Sequence, residues 1–207
     1  MSIDLAAANA ALEGKTPQEI IAWAIENSEN PLVTTNFRPY ESVILHMAVQ
    51  AKPDIKVLWV DSGYNTSATY RFAEKVIQDL NLNVETYIPQ QTSARRNVLM
   101  KGIPDVGDEL HDEFTRQVKL EPFQRALAEL KPDLWLNAIR KDQTEFRQSL
   151  EIVSASKDGI IKVAPLFNWT DADLEAYLEQ HNLPNEHDYF DPTKAVENRE
   201  CGLHTQL

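Results

Sequence analysis

The sequence predicts an α/β fold, a mostly parallel twisted sheet with helices on both faces. Two observations carry this. Short apolar segments alternate with stretches of helical periodicity in the order β-α-β-α-β, as in crossover-connected sheets. The segments at 55–60 and 134–139 are also near-continuous apolar runs, the pattern of strands buried on both faces.

The first clear helix opens at Thr16, a plausible N-cap with Pro17 at the first helical position and Glu19 three residues after the cap. Ile20, Ile21, Ala24 and Ile25 form its apolar face, and residues 27–31 end it. Residues 32–36 read as a strand, 41–51 as a helix with Val43, Ile44, Met47 and Ala48 at helical spacing, and 55–60 as the second strand. Residues 67–80 read as a helix and 84–88 as the third strand. Residues 90–113 are the least regular stretch, broken by Gly102, Pro104 and Gly107 and crowded with carboxylates. A helix at 122–130, a strand at 134–139 and a fifth strand at 160–167 follow. Thr170 then caps a helix over 171–181. Beyond Pro184 the chain is polar and irregular. The expected organisation is one α/β domain over 1–190 and a flexible C-terminal tail over 191–207.

At 207 residues the chain is long enough for one domain with its own core. The formal net charge is −12. That argues against a nucleic-acid surface, and it requires a local cluster of Arg and Lys wherever an anion binds. No apolar run approaches a bilayer span, and residues 1–11 show no secretory pattern. With one cysteine, the expected location is the cytoplasm, away from membranes.

That cysteine lies in Arg199-Glu200-Cys201-Gly202-Leu203-His204. A sole thiol forms no internal disulfide and by itself builds neither a Cys-rich zinc site nor an iron–sulfur cluster. It is either a reactive sulfur on a mobile arm or an incidental tail thiol.

In parallel sheets the ligand crevice lies beyond the carboxyl ends of the strands. After the first strand comes the hydroxyl-rich turn Thr34-Thr35-Asn36-Phe37-Arg38-Pro39-Tyr40-Glu41-Ser42. It leads into a helix N-terminus, and its amides suit an anion; a plain capping turn is the alternative. After the second comes Asp61-Ser62-Gly63-Tyr64, where Asp61 suits a ribose or base amine and Gly63 a tight turn, though such turns are common. After the fourth, Arg140, Lys141 and Arg147 fall within eight residues around Gln143. Their alternatives are phosphate or sulfate recognition and a solvated helix start.

Together these residues resemble the phosphoadenylyl-sulfate (PAPS) reductase family of adenine-nucleotide α-hydrolase-like proteins. The motif Glu200-Cys201-Gly202-Leu203-His204 resembles the family's terminal signature. Further similarity lies in Lys119-Leu120-Glu121-Pro122, in Arg140 through Arg147, and in Lys162-Val163-Ala164-Pro165-Leu166 with Trp169. The resemblance implies a homodimer that reduces PAPS. Cys201 would attack the sulfonate sulfur and form an S-sulfocysteine, and reduced thioredoxin or glutaredoxin would then displace sulfite. It also implies that Thr34, Thr35 and Asn36 contact the phosphosulfate or ribose; Phe37, Arg38 and Ser42 of the same turn are further candidates for the substrate site, Arg38 as a side-chain clamp. Asp61, Ser62 and Gly63 would line the adenosine pocket, and Lys119, Arg140, Lys141, Gln143 and Arg147 would hold the phosphosulfate. Adenylyl-sulfate (APS) reductases similar to this family carry paired cysteines where this chain has Phe114-Thr115. The resemblance therefore implies no iron–sulfur cluster, no bound cofactor and PAPS over APS.

The chain departs from the family pattern in three places. Arg38-Pro39 replaces a glycine after Phe37, Asn65-Thr66-Ser67-Ala68-Thr69 replaces a Phe-Pro-Glu-Thr-like stretch, and Lys194 and Arg199 are the only cations between 183 and 199. Arg95, Arg96 and Lys101 are candidates for a 3′-phosphate, with a solvated basic turn as the alternative. A free thiol has a pKa of about 8.5, and Glu200 would raise it, so activation falls to the basic pocket or to His204. No metal is expected; His46, His111, His181 and His187 read as surface or interface residues. The competing functions are an APS reductase without a cluster, a non-catalytic sulfonucleotide-binding relative, and an ATP-pyrophosphatase-type enzyme. The last is disfavoured because the Ser-Gly-Gly-x-Asp-Ser loop is missing.

Overall fold

A computed structural model of the chain describes residues 3–194. Helices α1 (Leu5–Leu12) and α2 (Pro17–Glu26) lead into strand β1 (Pro31–Thr35). Then come α3 (Glu41–Ala51), β2 (Lys56–Val60), α4 (Ser67–Leu80), β3 (Asn83–Tyr87), α5 (Ser93–Met100) and α6 (His111–Thr115). A π-helical turn at Arg116–Leu120 runs into α7 (Glu121–Leu130), followed by β4 (Leu134–Leu136) and α8 (Glu145–Gln148). Strands β5 (Val153–Ala155) and β6 (Ile161–Val163) precede α9 (Asp171–His181). No helix among the described residues is long and apolar enough to cross a membrane.

The strands lie in the order β3-β2-β1-β4-β6-β5, parallel throughout except for β5 against β6. Register sets one continuous row across all six: Val84, Val57, Val33, Leu136, Val163 and Val153. Side chains alternate between sheet faces, so this row packs on one side, in the core with α1, α2, α3, α4 and α9. Leu32, Leu58 and Trp135 point the other way, against Phe123 and Ala126 of α7. Both faces are therefore covered, as predicted.

The helix boundaries follow their caps. Thr16 and Thr170 each form a capping box, with Glu19 and Asp173 as reciprocal partners. Thr66 and Thr92 cap α4 and α5 by accepting from Thr69 N and Arg95 N.

Several expectations need correction. The irregular stretch 90–113 contains the capped helix α5. Strand β4 ends at Leu136, not 139, because the Asn137 side chain turns the chain by accepting from Ile139 N at 3.1 Å. The segment 160–167 is a strand only over Ile161–Val163; the Ala164 amide turns to Ile152 O, and Pro165 has no N–H to continue the ladder. Helix α1 and the antiparallel β5 were not anticipated. They belong together: the Asn9 carboxamide donates to Val153 O at 2.8 Å and accepts from Val153 N at 2.9 Å, acting as a short pseudo-strand on the sheet edge. Residues 191–194, assigned to the tail, include buried Pro192 and Thr193. Arg199, Glu200, Cys201 and His204 lie outside the described residues. His111 is buried, bonded through Nδ1 to Pro104 O, and so is not a surface residue.

Two stability predictions follow from these contacts. Asn9→Ala should cost about 1–2 kcal/mol in urea unfolding, because both Val153 backbone groups lose their partner. His46 of α3 faces Tyr177 and His181 of α9: Nδ1 meets Tyr177 Oη at 2.9 Å and the two imidazole centroids lie 4.9 Å apart. Burial, then the neighbouring His181, lower the His46 pKa. The unfolded chain therefore takes up this proton first as pH falls. The urea midpoint should hold above about pH 6.5 and drop below it, and His46→Gln should shrink that drop.

Candidate active site at the sheet switch point

Strands β1 and β4 are neighbours, but the chain moves outward from β1 through β2 to β3, and from β4 in the other direction. Beyond their carboxyl ends an open crevice remains at this reversal of order. The structure has a cleft there of about 750 Å³, solvent at its mouth included. Thr34, Thr35 and Asn36 form one wall and Asn137, Ala138 and Ile139 the other. Leu58, Phe123 and Trp135 form an apolar floor, with the Phe123 and Trp135 rings 5.1 Å apart. Trp135 Nε1 donates to Thr34 Oγ1 at 2.8 Å across β1 and β4, tying the two walls together.

Four cations line the cleft, Arg38, Lys119, Arg147 and Lys194, against two carboxylates, Glu41 and Asp191. That is a local surplus of positive charge in a chain of net charge −12. Each cation is held by its own element. Arg147 sits in the first turn of α8, capped by Thr144, and its guanidinium donates to Gln143. Lys119 lies in the π-helical turn, whose wider winding places Val118 and Lys119 both inward. Arg38 leaves the β1–α3 turn, its Nε donating to Glu41 Oε1 at 2.8 Å and its Nη2 to Ala138 O at 3.2 Å.

The segment 184–194 closes one side of the cleft. It is fastened at Ser42 Oγ to Pro184 O, at Tyr40 N to Asn185 Oδ1, and at the Thr66 and Thr69 hydroxyls to Asp188 O. The last fastening is an ion pair, Lys119 Nζ to Asp191 Oδ2 at 2.6 Å, with both side chains only 8% exposed. Burial pushes the Asp191 carboxyl up, but the Lys119 charge and the hydrogen bonds from Lys119 and Thr193 outweigh it. The net pKa lies below the usual carboxylate value. Tyr189, Asp191 and Lys194 all reach the cleft, and a smaller annex of about 310 Å³ opens beside them at Ser62, Asn65 and Phe190.

The structure gathers Thr34, Thr35, Asn36, Arg38, Lys119 and Arg147 from the expected site. Others are elsewhere. Phe37 is core, edge-on to Trp59 and Phe72. Ser42 is buried and bonded to Pro184 O. Asp61 does not line the cleft; it accepts from Gly63 N, Asn65 Nδ2 and Tyr70 Oη, and burial with this carboxylate raises the Tyr70 pKa to about 12. Gly63 makes the turn at φ +78° and faces Ser93. Arg140 is buried behind the cleft wall, paired with Asp171 at 2.6 Å and Asp142 at 3.3 Å. Lys141 is exposed, outside the cleft. Gln143 reaches the site only through Arg147. Arg96, a candidate for a 3′-phosphate, is buried against Tyr64 and bonded to Gln117 and Gln91 O.

The sequence reading missed Glu41, Asn137, Trp135, Tyr189 and Asp191. Asn137 was hidden inside an overlong strand. Glu41 carried a signal, a carboxylate in the first turn of a helix. So did Asp191-Pro192-Thr193, an Asx-turn pattern realised here by Thr193 N to Asp191 Oδ1.

The sequence profile described as phosphoadenosine phosphosulfate reductase domain matches residues 30–191. The chain belongs to this family. It is 35% identical over 180 residues to a phosphoadenosine 5′-phosphosulfate reductase of Vibrio parahaemolyticus, covering 86% of this chain and 69% of the relative. It is 37% identical over 187 residues to one of a Synechococcus strain, covering 88% and 79%. A crystal structure of the phosphoadenylyl-sulfate reductase of Candida auris, in a phosphate complex, superposes with a TM-score of 0.76 at 28% identity, covering 89% of this chain and 90% of that one. An FMN adenylyltransferase of Candida glabrata (TM-score 0.61, 13% identity) and an NAD synthetase of Campylobacter jejuni (0.55, 13%) share the fold alone. The adenine-nucleotide α-hydrolase-like architecture expected from sequence is thus present, in a nucleotide-binding member of a sulfonucleotide reductase family.

Lys119→Met should cost about 3 kcal/mol of stability, because it leaves the Asp191 carboxylate buried without its partner. The double variant Lys119→Met/Asp191→Asn should recover most of that loss. Since the folded-state pKa of Asp191 is depressed, the pair's contribution should be complete above about pH 4 and lost only below it. Urea unfolding of the three proteins at pH 7 and pH 3.5 checks both statements.

Proposed function

We propose that the protein reduces 3′-phosphoadenylyl sulfate to sulfite and adenosine 3′,5′-bisphosphate. The Cys201 thiolate attacks the sulfonate sulfur, and the bond from sulfur to the bridging phosphate oxygen breaks. Cys201 becomes an S-sulfocysteine, and the nucleotide leaves as adenosine 3′,5′-bisphosphate. A thiolate of reduced thioredoxin then attacks Cys201 Sγ, and sulfite leaves with the electron pair of the S–S bond. The second thioredoxin thiol resolves the mixed disulfide, so the dithiol supplies both electrons. Glutaredoxin has the same chemistry. No resident cofactor, cluster or metal enters the scheme. A thiol that must stay reduced fits the cytoplasm, and the family resemblance implies a homodimer.

The observation that supports this most is the cationic cleft at the switch point of an otherwise acidic chain. Arg38, Lys119 and Arg147 line it and in this reading would neutralise a phosphosulfate and the charge that builds on the leaving phosphate. Lys194, which lines the same cleft, is seven positions before Cys201. Seven residues span at most about 25 Å, enough to bring the sulfur to a substrate in the cleft. Lys194 is also the cation we assign to the 3′-phosphate. Glu200 opposes thiolate formation, so the closed cationic cleft and His204 are the groups that would favour it.

The test is intact-protein mass spectrometry after incubation with each sulfonucleotide and no reductant. A sulfonate adduct on Cys201 from the 3′-phosphorylated nucleotide alone is the expected result. An adduct from adenylyl sulfate instead would make the protein an APS reductase without a cluster; no adduct from either would leave a non-catalytic binder. Cys201→Ser should abolish sulfite release, a loss of at least about 10³-fold, yet retain nucleotide affinity.

A further inference from the structure

We propose that Glu41 is a positioning residue that aims Arg38 across the switch point, so that side-chain cations, not backbone amides, receive the phosphosulfate. This deepens the reading above and rests on it.

Five amides of the β1–α3 turn are already engaged. Asn36 N donates to Glu41 Oε2 at 2.6 Å and Phe37 N to Thr35 Oγ1 at 2.9 Å. Tyr40 N donates to Asn185 Oδ1, and the Glu41 and Val43 amides bond within the turn. Pro39 has no N–H. A turn entering a helix N-terminus is where an external anion would settle, and here the protein's own carboxylate already takes the Asn36 amide of that turn. Glu41 is the first residue of α3, and its side chain is 6% exposed.

Its two oxygens divide the work. Oε2 accepts from Asn36 N and from Thr35 Oγ1 at 2.8 Å, which sets the turn. Oε1 accepts from Arg38 Nε at 2.8 Å, which sets the guanidinium. The far side of the same guanidinium donates to Ala138 O, just beyond β4, so Arg38 spans both walls of the cleft. These charge-assisted bonds in a nearly buried setting leave Arg38 little freedom.

Removing the Glu41 charge has two opposed consequences. It takes a negative charge away from the substrate's anionic end, which alone would tighten binding. It also releases Arg38 and Asn36, which weakens binding. Positioning requires the second to win, and the sign of the change decides.

The experiment uses the full-length chain in a Cys201→Ser background, so that no sulfonyl transfer occurs. Calorimetry compares 3′-phosphoadenylyl sulfate with adenosine 3′-phosphate, which lacks only the 5′-phosphosulfate. E41Q should weaken phosphosulfate binding by about ten-fold or more, the scale of a lost charged hydrogen bond, and change adenosine 3′-phosphate affinity by less than about two-fold. The R38A/E41Q double variant should bind no more weakly than R38A, because Glu41 acts through Arg38. Should E41Q fail to fold, E41D keeps the charge but is too short to reach its three donors, and the same selective loss is expected. Phosphosulfate affinity that is unchanged or tighter, or a parallel loss for both ligands, would overturn the proposal alone. A parent protein that binds the two nucleotides equally would overturn the functional reading and this inference with it.

Discussion

The pairing of β1 with β4 is the constraint from which the site derives. The parallel neighbours β1, β2 and β3 are joined in turn by crossover helices, α3 and α4, whose connections cross the strand ends. At β1 and β4 the two halves run outward in opposite directions, and no crossover closes the gap between them. The opening is therefore a property of strand order and not of any particular loop. What the loops add is chemistry: Arg38 from the turn after β1, Arg147 from α8 after β4, and Lys119 from the π-helical turn that precedes α7. Trp135, whose indole bonds to Thr34, keeps the two strand ends from separating.

Gathering cations in a chain of net charge −12 raises a second problem. Unpaired cations packed together would repel one another and would collapse onto the nearest surface carboxylate. The structure assigns dedicated partners to two of them: Glu41 to Arg38 and Asp191 to Lys119. Both carboxylates come from the cleft's own walls, and both pairs are largely out of water, where such contacts are directional and resist screening. The arrangement costs desolvation and gains fixed geometry. It also means that an anion entering the cleft would meet guanidinium and ammonium groups already oriented, which is the condition for stabilising charge without reorganisation.

What was legible in the sequence divides along physical lines. Helices with a strong local signal were readable to the residue: the spans predicted for α3, α4 and α9 match the structure, and Thr16, Thr66 and Thr170 each close a cap within four residues. Strand ends were not, because Asn137 and Ala164 leave the ladder through hydrogen bonds to groups whose position depends on the fold. The antiparallel β5 is three residues long and held partly by Asn9, some 144 positions away. The site shows the same division. Arg147 was singled out by residue type and position and Lys119 by the family resemblance, but residue type could not separate Arg147, which faces the cleft, from Arg140, which turns back to Asp171. Three cations within eight residues of chain point wherever the fold turns them. Asp61 stands off the cleft for a similar reason: an Asp at a strand end serves the turn first when Gly63, Asn65 and Tyr70 all present donors to it.

The Lys119–Asp191 pair bears on the proposed reaction in a way neither residue does alone. The S-sulfocysteine scheme asks one sulfur to meet two partners of very different size, a nucleotide inside a cleft and a protein dithiol outside it. A thiol on a rigid strand end could serve the first and not the second. Asp191, clamped to Lys119 at the cleft wall, ties down the chain ten positions before Cys201. Lys194, which also lines the cleft, leaves seven positions to Cys201, and seven residues extend at most about 25 Å. The clamp limits where that length begins, so the search for the substrate starts at the site and not at a distant terminus. Effective concentration falls as a tether lengthens, and this placement of the anchor keeps it short. In the proposed reaction the buried ion pair then fixes the chain at the cleft, and covalent length bounds how far from it Cys201 can lie.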